Sequence, residues 1–422
     1  MIKKKSTKFI CNNIAVIGVG RVGLPLSLVL ADQGFQVIGV DRDSDKLSLI
    51  LQAKSPFLEN DMDLLLKKVI GKKFHVVHEE GFFSVISQMD VIILTLGTTI
   101  DNTLSPSVSQ IVEFFNKFAH FFRKGQLIIL RSTVSPGTTN YLKHFLESKL
   151  NLKVGENIFL AYCPERIAEG HAIKELYEIP QAIGGFDDDS KNFASLVFSC
   201  LTKKIMFTDP LSAELSKLYC NMYRYIDFAI GNEFMLIAES HGCDIYEVLR
   251  LVNDGYVRGG VKNPGFTAGA CLVKDGFFLI DKSPYLDLVT AAWRVNESIP
   301  GFLIEKIKAQ YGGFKDKKVA VFGLGFKKNI DDTRYSLSLK LINYLNSEGA
   351  EVYSHDPLIT SKSIEESLRG AEVLILAVNH DAFKSLSLKM IAKLVKKDCV
   401  ICDVWNILGQ DKICFRLNQI VI

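Results

Sequence analysis

A chain of 422 residues is longer than one ordinary hydrophobic core can fill and suits two or three domains. With 48% hydrophobic and 23% charged residues it reads as a globular chain and not a disordered one. The 50 Lys+Arg against 47 Asp+Glu leave a net charge of +3, which with no basic stripe argues against nucleic acid as a partner. No apolar run reaches the length of about 18 residues that a membrane span needs. The basic start, Met1 to Lys5, is followed by a short apolar stretch broken at Asn12-Asn13, which fits a strand better than a signal peptide. The nine cysteines are odd in number and scattered, so they are expected to be reduced cytoplasmic thiols, most of them small core residues. No His or Cys partners stand at metal-ligand spacing, so no metal is expected.

The first predicted elements are a strand from Ile14 to Ile17, the turn Gly18-Val19-Gly20-Arg21-Val22-Gly23, a helix from Leu24 to Asp32, and a strand from Gln36 to Val40 ending at Asp41. Gly18 permits a tight turn, Gly20 lets backbone approach a pyrophosphate at a helix N-terminus, and Gly23 lets that helix sit close to its strand. Asp41 is expected to accept from a ribose diol and to repel a 2′-phosphate, which favours NAD; the neighbouring Arg42 is a counter-signal. The plain alternative is a glycine-rich turn in an α/β domain that holds nothing.

Further strands are predicted at Phe74 to Val77, Val91 to Thr95, Gln126 to Arg131 and Phe159 to Tyr162. Their ends carry Thr95, Gly97-Thr98-Thr99, Ser132-Thr133 and Cys163-Pro164-Glu165-Arg166, the polar groups that gather at the crevice beyond the carboxyl ends of an open parallel sheet. Thr95, Gly97, Thr98 and Thr133 therefore join the glycine turn, Asp41 and Arg42 as expected cofactor contacts. A strand near Lys204 to Phe207 closes this region, and Thr208-Asp209-Pro210 leads into a helix.

That helix runs from Leu211 to about Ser240, with Leu215, Leu218, Met222, Ile226, Ile230 and Leu236 at helical spacing. Lys217, Asn221 and Arg224 fall on one face of it and are expected to look into a cleft between two α/β domains. A helix from Ile245 to Val252 then yields to Gly255-Tyr256-Val257-Arg258-Gly259-Gly260 and to Pro264-Gly265-Phe266-Thr267-Ala268-Gly269-Ala270-Cys271-Leu272-Val273-Lys274-Asp275. Glycines on both sides let this loop fold over a ligand, with Phe266 and Gly269 as contacts. Cys271 is expected at the start of the next helix, where amide donors and nearby lysines favour its thiolate and a nucleophilic role. The competing reading is a cysteine that merely packs.

The last region begins near Lys315 with a strand from Val319 to Phe322 that enters Gly323-Leu324-Gly325-Phe326-Lys327-Lys328. Lys328 occupies the third glycine position, so close helix packing is lost, and no counterpart of Asp41 is evident after the strand Glu351 to Ser354. Lys327 and Arg334 are expected to meet a phosphate-bearing substrate, the alternative being a solvated charged loop. Strands from Val373 to Val378 and Cys399 to Val404 complete a second sheet. The expected fold is α/β: two Rossmann-like parallel-sheet domains joined by a long central helix in a helical middle domain. The expected boundaries are 1–210 for a dinucleotide domain, 211–310 for the helical domain and 311–422 for the second Rossmann-like domain.

The Gly18-x-Gly20-x-x-Gly23 turn with Asp41, Ser132-Thr133-Val134, Cys163-Pro164-Glu165-Arg166, Lys217-x-x-x-Asn221, Pro264-Gly265 through Cys271-x-x-Lys274-Asp275, and Gly323-Leu324-Gly325-Phe326-Lys327 with Asp331-Asp332-Thr333-Arg334 occur in one order. In that order the chain resembles the UDP-sugar 6-dehydrogenases over nearly its whole length. The resemblance implies four-electron oxidation of the sugar C6 alcohol to a carboxylate with two NAD per turnover. It implies that Cys271 carries a thiohemiacetal and then a thioester, that Lys217 stabilises developing oxygen charge with Asn221 beside it, and that Asp275 orients water and Lys217. Glu165 and Thr133 would assist proton handling, and Lys274 would join the cofactor contacts. Thr267-Ala268-Gly269-Ala270 departs from the consecutive glycines common in that family. Arg224 and Arg166 are similar to the branches acting on UDP-N-acetylhexosamines, which favours an acetamido sugar of the GlcNAc or ManNAc type over UDP-glucose. The expected substrate contacts are Glu165, Arg166, Lys217, Asn221, Arg224, Arg258, Phe266, Gly269, Lys327 and Arg334. A homodimer or dimer-based oligomer through the long helix is implied, with Arg258 reaching the partner's substrate. A nucleotide-binding protein that has lost catalysis is the remaining alternative.

Overall fold

The computed structural model describes residues 9, 11–100, 106–280 and 286–420. The basic start Met1 to Lys5 lies outside them. The chain forms two compact units, residues 1–220 with 277–283, and residues 221–276 with 284–422. Among the described residues no helix is long and apolar enough to cross a membrane.

The first unit is built on eight strands: β1 Asn13–Ile17, β2 Gln36–Asp41, β3 Phe74–His78, β4 Val91–Leu94, β5 Leu127–Leu130, β6 Phe159–Tyr162, β7 Gln181–Gly185 and β8 Ile205–Thr208. Their order across the sheet is β8-β7-β6-β5-β4-β1-β2-β3. From β3 to β6 this is the doubly wound order 3-2-1-4-5-6, whose direction reverses between β1 and β4 and opens a crevice there. The strands read as unbroken apolar runs, Val-Ile-Ile-Leu in β4 and Leu-Ile-Ile-Leu in β5, because both faces of a parallel sheet are covered. Side chains alternate between two cores: Ile14, Val16, Ile93 and Ile129 on one face, Ala15, Ile17, Ile92 and Leu130 on the other. The helix Gly23–Asp32 is buried from Gly23 to Ala31, which accounts for its lack of a polar face.

Strand β7 is missed by the sequence pattern and runs antiparallel to β6. Its Gln-Ala-Ile-Gly-Gly composition is poor in strand formers, and the reason is close packing. A Cβ at Gly184 would stand 2.7 Å from the Asp209 carbonyl oxygen and 2.8 Å from the Ala213 Cβ.

The helix Pro210–Ser240 is 31 residues long, and the chain passes from the first unit to the second within it, at Cys220 and Asn221. The second unit's sheet comprises β9 Lys318–Phe322, β10 Glu351–His355, β11 Val373–Leu376, β12 Val400–Asp403 and β13 Cys414–Arg416, in the order β10-β9-β11-β12-β13. This is the other common doubly wound order, with the unpredicted β13 as an antiparallel edge. Met235, Ile245, Leu249 and Leu303 from the helices pack with Val319, Ile375 and Val400 on one face of it. After the Gly323 turn no helix begins until Leu337–Ser347, capped by the Ser336 hydroxyl, so Lys328 stands in a loop where the first unit has a helix.

In the first turn the helix lies against backbone. A Cβ at Gly23 would overlap the Gly18 carbonyl oxygen and meet the Thr95 hydroxyl at 2.5 Å. Gly23→Ala is therefore expected to destabilise the first unit by about 1–3 kcal/mol through overpacking, read as a lowered midpoint in thermal denaturation. An unchanged midpoint would refute this account of the turn.

Candidate functional site

The glycine turn opens onto a cavity of about 330 Å³ whose lining includes Gly18, Gly20, Asp41, Arg42, Lys46, Thr95 and Gly97. Gly18 has φ +94°, and its carbonyl accepts from the Thr95 hydroxyl at 2.7 Å. A Cβ at Gly20 would meet nothing within 4 Å, so the backbone there faces open space, as close approach by a pyrophosphate requires. The Asp41 carboxylate accepts from the Val19 amide at 3.0 Å and the Lys46 ammonium at 2.9 Å through one oxygen, and from the Asp43 amide at 3.1 Å through the other. Its side chain is 8% exposed, toward a cavity with the polarity a ribose diol needs. These residues fit the adenosine half of a dinucleotide. Arg42 is exposed at the rim. Arg21 lies over the Phe57 ring at 5.0 Å and 3.6 Å from Glu169. Val19 is buried, and Val22 is the residue before the helix. Lys46 escaped the sequence reading; its signal is its place five residues after Asp41, in the first turn of the helix Ser44–Leu51. Lys117, Gln110 and Glu113, which also line the cavity, had no motif to mark them.

At the neighbouring strand ends, the Thr98 hydroxyl donates to the Thr133 carbonyl at 2.6 Å and the Ser132 hydroxyl to the Leu96 carbonyl at 2.7 Å, so the loops after β4 and β5 are tied together. Glu165 is buried and accepts from the Ile167 amide. Arg166, expected to face substrate, gives one guanidinium nitrogen to the Pro180 carbonyl. Behind this loop Arg131, 3% exposed, donates to the Cys163 carbonyl at 3.1 Å and to Gln181 at 2.9 Å. Lys217 is buried on the long helix, whereas Arg224, two turns on, is exposed. The buried stripe of that helix drifts to Tyr225 and Ala229 and leaves Arg224 outside it.

In the second unit, Asn221 donates to Asp275 at 2.6 Å, both buried. The resemblance implies an Asp275 that orients water and Lys217; one of its oxygens accepts from the asparagine side chain. The loop that leads to Cys271 is held by backbone contacts. The Gly265 amide donates to Asn232 on the long helix at 2.8 Å, and a Cβ at Gly265 would drive into the Trp405 ring. Gly269 has φ +108°, and a Cβ there would lie 2.6 Å from the Phe326 ring. Phe266 is buried beneath, Lys274 is half-buried, and Cys271 is exposed in the first turn of the helix Ala270–Ile280. Arg258 is exposed, its guanidinium 5.3 Å from the Tyr256 ring centroid.

The second glycine turn corrects an expectation. A counterpart of Asp41 does follow β10: Asp356, which accepts from the Leu324 amide at 2.6 Å, the Gly325 amide at 3.3 Å and, through its other oxygen, the Leu358 amide at 2.9 Å. Its position just beyond the strand, before a proline, hid it. His380 Nε2 lies 3.2 Å away and both side chains are sealed from solvent, while His380 Nδ1 accepts from the Asn329 amide at 3.0 Å. Burial pushes the Asp356 pKa up, but the neighbouring His380 ring and the amide hydrogen bonds outweigh it and leave it below the ordinary carboxylate value. The stability this group contributes is present above the unfolded carboxylate pKa and lost as pH falls through its lowered value. Of the expected phosphate ligands, Lys327 is half-buried, and Arg334 clasps Asp332 through Nε at 3.0 and 2.9 Å and Nη2 at 2.5 Å.

The cysteines also depart from expectation. Four are buried (Cys163, Cys399, Cys402 and Cys414), Cys11 and Cys200 are half-buried, and Cys220, Cys243 and Cys271 are exposed. Burial pushes the Cys163 and Cys399 thiols up to about 12. No group of three or more His, Cys, Asp or Glu able to hold a metal occurs among the described residues.

Three family models match the chain in succession: the NAD binding domain of the UDP-glucose/GDP-mannose dehydrogenase family over residues 12–202, its central domain over 211–298 and its UDP binding domain over 320–410. The UDP-N-acetyl-D-mannosamine dehydrogenase of Methanocaldococcus jannaschii is 34% identical over 94% of this chain and 93% of its own. Among solved structures, the UDP-D-ManNAc dehydrogenase of Pyrococcus horikoshii superposes with a TM-score of 0.85 at 30% identity, over 91% of this chain and 93% of that one. The UDP-N-acetyl-mannosamine dehydrogenase of Staphylococcus aureus gives 0.84 at 25% identity, over 94% and 96%.

Exposure and burial divide the thiols by reactivity. Brief alkylation with iodoacetamide near neutral pH, followed by peptide mapping, is expected to modify Cys271 and Cys243 and to spare Cys163 and Cys399. Modification of Cys163 ahead of Cys271 would contradict the burial described.

Proposed function

From a chain that belongs to the UDP-glucose/GDP-mannose dehydrogenase family, and so is an NAD-dependent UDP-sugar 6-dehydrogenase, we propose an enzyme that oxidises the C6 alcohol of a UDP-N-acetylhexosamine, with UDP-N-acetylmannosamine as its best substrate. The observation that carries the choice of sugar is the near full-length match to enzymes named for that sugar. UDP-glucose is the second reading, since the family's own name includes it. We assign the dinucleotide to residues 1–210, the UDP moiety to 311–422, and Lys217, Asn221, Cys271 and Asp275 to a central segment, 211–310. The odd number and scattered spacing of the nine cysteines support a reducing, cytoplasmic setting.

Bound NAD supplies the hydride acceptor, twice per turnover. Gly18, Gly20 and Asp41 hold it, with Val19, Arg21, Val22, Gly23, Arg42, Thr95, Gly97, Thr98, Thr133 and Lys274 as further contacts. Oxidation of the alcohol to the aldehyde costs the substrate two electrons and two protons. The Cys271 thiolate adds to the aldehyde carbon, and the oxygen becomes a thiohemiacetal hydroxyl. Loss of a second hydride and a proton gives the thioester, and water cleaves it to the carboxylate, returning the thiol. The Lys217 ammonium stabilises charge on the C6 oxygen, and Asn221, held by Asp275, donates to the same oxygen. Glu165 and Thr133 assist proton handling. Arg166, Arg224, Arg258, Phe266, Gly269, Lys327 and Arg334 complete the set assigned to the sugar nucleotide.

Arg224 supports an acetamido sugar, because a guanidinium can donate to the acetamido carbonyl. Since it is exposed, its donors stay hydrated when that group is missing, so the discrimination it provides belongs at the low end, about tenfold. In a panel of UDP-glucose, UDP-galactose and the UDP-N-acetyl derivatives of glucosamine, galactosamine and mannosamine, UDP-N-acetylmannosamine is expected to give the highest kcat/KM by NADH absorbance. Arg224→Leu is expected to narrow that preference by about tenfold. NADP in place of NAD is expected to bind at least about ten times more weakly, for want of room beside the Asp41 carboxylate. A panel won by UDP-glucose would overturn the choice of sugar, and equal affinities would overturn the choice of cofactor.

A homodimer is part of the proposal. Tyr219, Tyr223, Ile230, Phe234 and Ile237 share one face of the long helix, with Tyr223 73% and Phe234 42% exposed. Light scattering at micromolar concentration is expected to report twice the chain mass, and a monomer would count against it.

A further inference from the structure

The first turns of the long helix carry a carboxylate that neither the motifs nor the reaction scheme uses. Glu214 is 1% exposed. One of its oxygens accepts from the Gly137 amide at 2.6 Å; the other accepts from the Thr139 amide at 2.8 Å and the Thr139 hydroxyl at 2.5 Å. These donors form the N-terminus of the helix Thr138–Leu150, whose own N-cap residue is Gly137, at φ +92°, with no side chain to cap it. A local Ser or Asp would satisfy such amides without burying a charge. Here they are satisfied from 75 and 77 residues away, by a carboxylate whose desolvation is tolerable only because all its partners are in place. The bond therefore fixes one segment against another as well as finishing a helix.

The two segments are those to which the proposed reaction assigns its groups. Lys217 follows Glu214 by three residues, on the same face of the long helix, and is likewise buried. Gly137 ends the loop that begins with Ser132-Thr133, and the Thr133 carbonyl accepts from Thr98 in the loop after β4. We propose that Glu214 is a positioning residue for the oxidation: by capping the helix that follows the Thr133 loop, it sets the height and rotation of the helix bearing Lys217 relative to that loop. The inference rests on the reading above that Lys217 and Thr133 serve the reaction. A small displacement of a group that must meet a developing charge costs far more in turnover than in ligand affinity.

Glu214→Gln tests it with little change in shape. Gln offers one oxygen where two are needed, and its amide N–H₂ would face an N–H donor. The expected result is a fall in kcat for UDP-sugar oxidation of about tenfold or more, with the Kd for NAD, from a fluorescence titration, within about twofold of wild type. In a Lys217→Ala background, Glu214→Gln is expected to change the residual single-turnover rate by less than about twofold, because its effect passes through the lysine. Losses that multiply in the double variant, or wild-type kcat in Glu214→Gln, would overturn the inference. If Glu214→Gln does not fold, Thr139→Val removes only the hydroxyl bond and is expected to lower kcat by about threefold with NAD affinity kept; an unchanged kcat there is equally fatal. A wild-type protein that oxidises no UDP-sugar, or a fully active Lys217→Ala, would instead remove the underlying reading.

Discussion

One bond recurs in each sheet, and much of the local structure depends on it: a backbone amide just after the first glycine donates to a carboxylate at or just past the end of the second strand. In the first unit it joins Val19 to Asp41 and in the second Leu324 to Asp356. A positive-φ glycine aims the amide, at Gly18 and at Gly323, and a parallel pair of strands brings the acid to it. What differs is who else holds the acid. Lys46 leaves Asp41 bordering a cavity, whereas His380 and further amides wall Asp356 in.

The Cys271 segment shows a different use of glycine. Gly231 on the long helix lies against the Lys262 carbonyl, Gly265 against the Trp405 ring and Gly269 against Phe326. Each contact leaves no room for a side chain, so the segment that leads to Cys271 is held by close main-chain approach. Asn232 adds polar closure, linking the Gly265 amide to Asn296, which donates in turn to the Tyr225 carbonyl at 3.3 Å. A segment so held carries Cys271 at an exposed helix start while its neighbours Phe266 and Ala268 are buried.

How much of this was legible in the sequence follows from how local the signals are. The two glycine turns, the buried strands and the long helix declare themselves through composition and period, and their positions in the structure differ from the expected ones by a residue or two. Strand β7 was invisible because its glycines serve a packing neighbour and not its own conformation. Asp356 carries no such signal because it lies a residue beyond its strand, where Asp41 is the last residue of its own. The cysteines misled because a small apolar side chain says nothing of which side of a helix it occupies; Cys220 and Cys243 proved exposed. Of the expected substrate groups, Arg166 and Arg334 are engaged with Pro180 and Asp332, partners that no sequence spacing announces until the chain is folded.

The walled-in acid of the second unit has a consequence for how a repeated fold divides its labour. A ribose can be recognised by a carboxylate only if that carboxylate has an acceptor to offer and a path by which the sugar can reach it. Asp356 accepts from three amides and neighbours a histidine, and its side chain has no accessible surface. An adenine dinucleotide that drifted into this half of the chain would find the geometry of its usual cradle with the central hydrogen-bonding position already satisfied from within. Both acids accept from three donors, so what separates the two copies of the architecture is access: Asp41 borders a cavity and the Asp356 side chain is sealed.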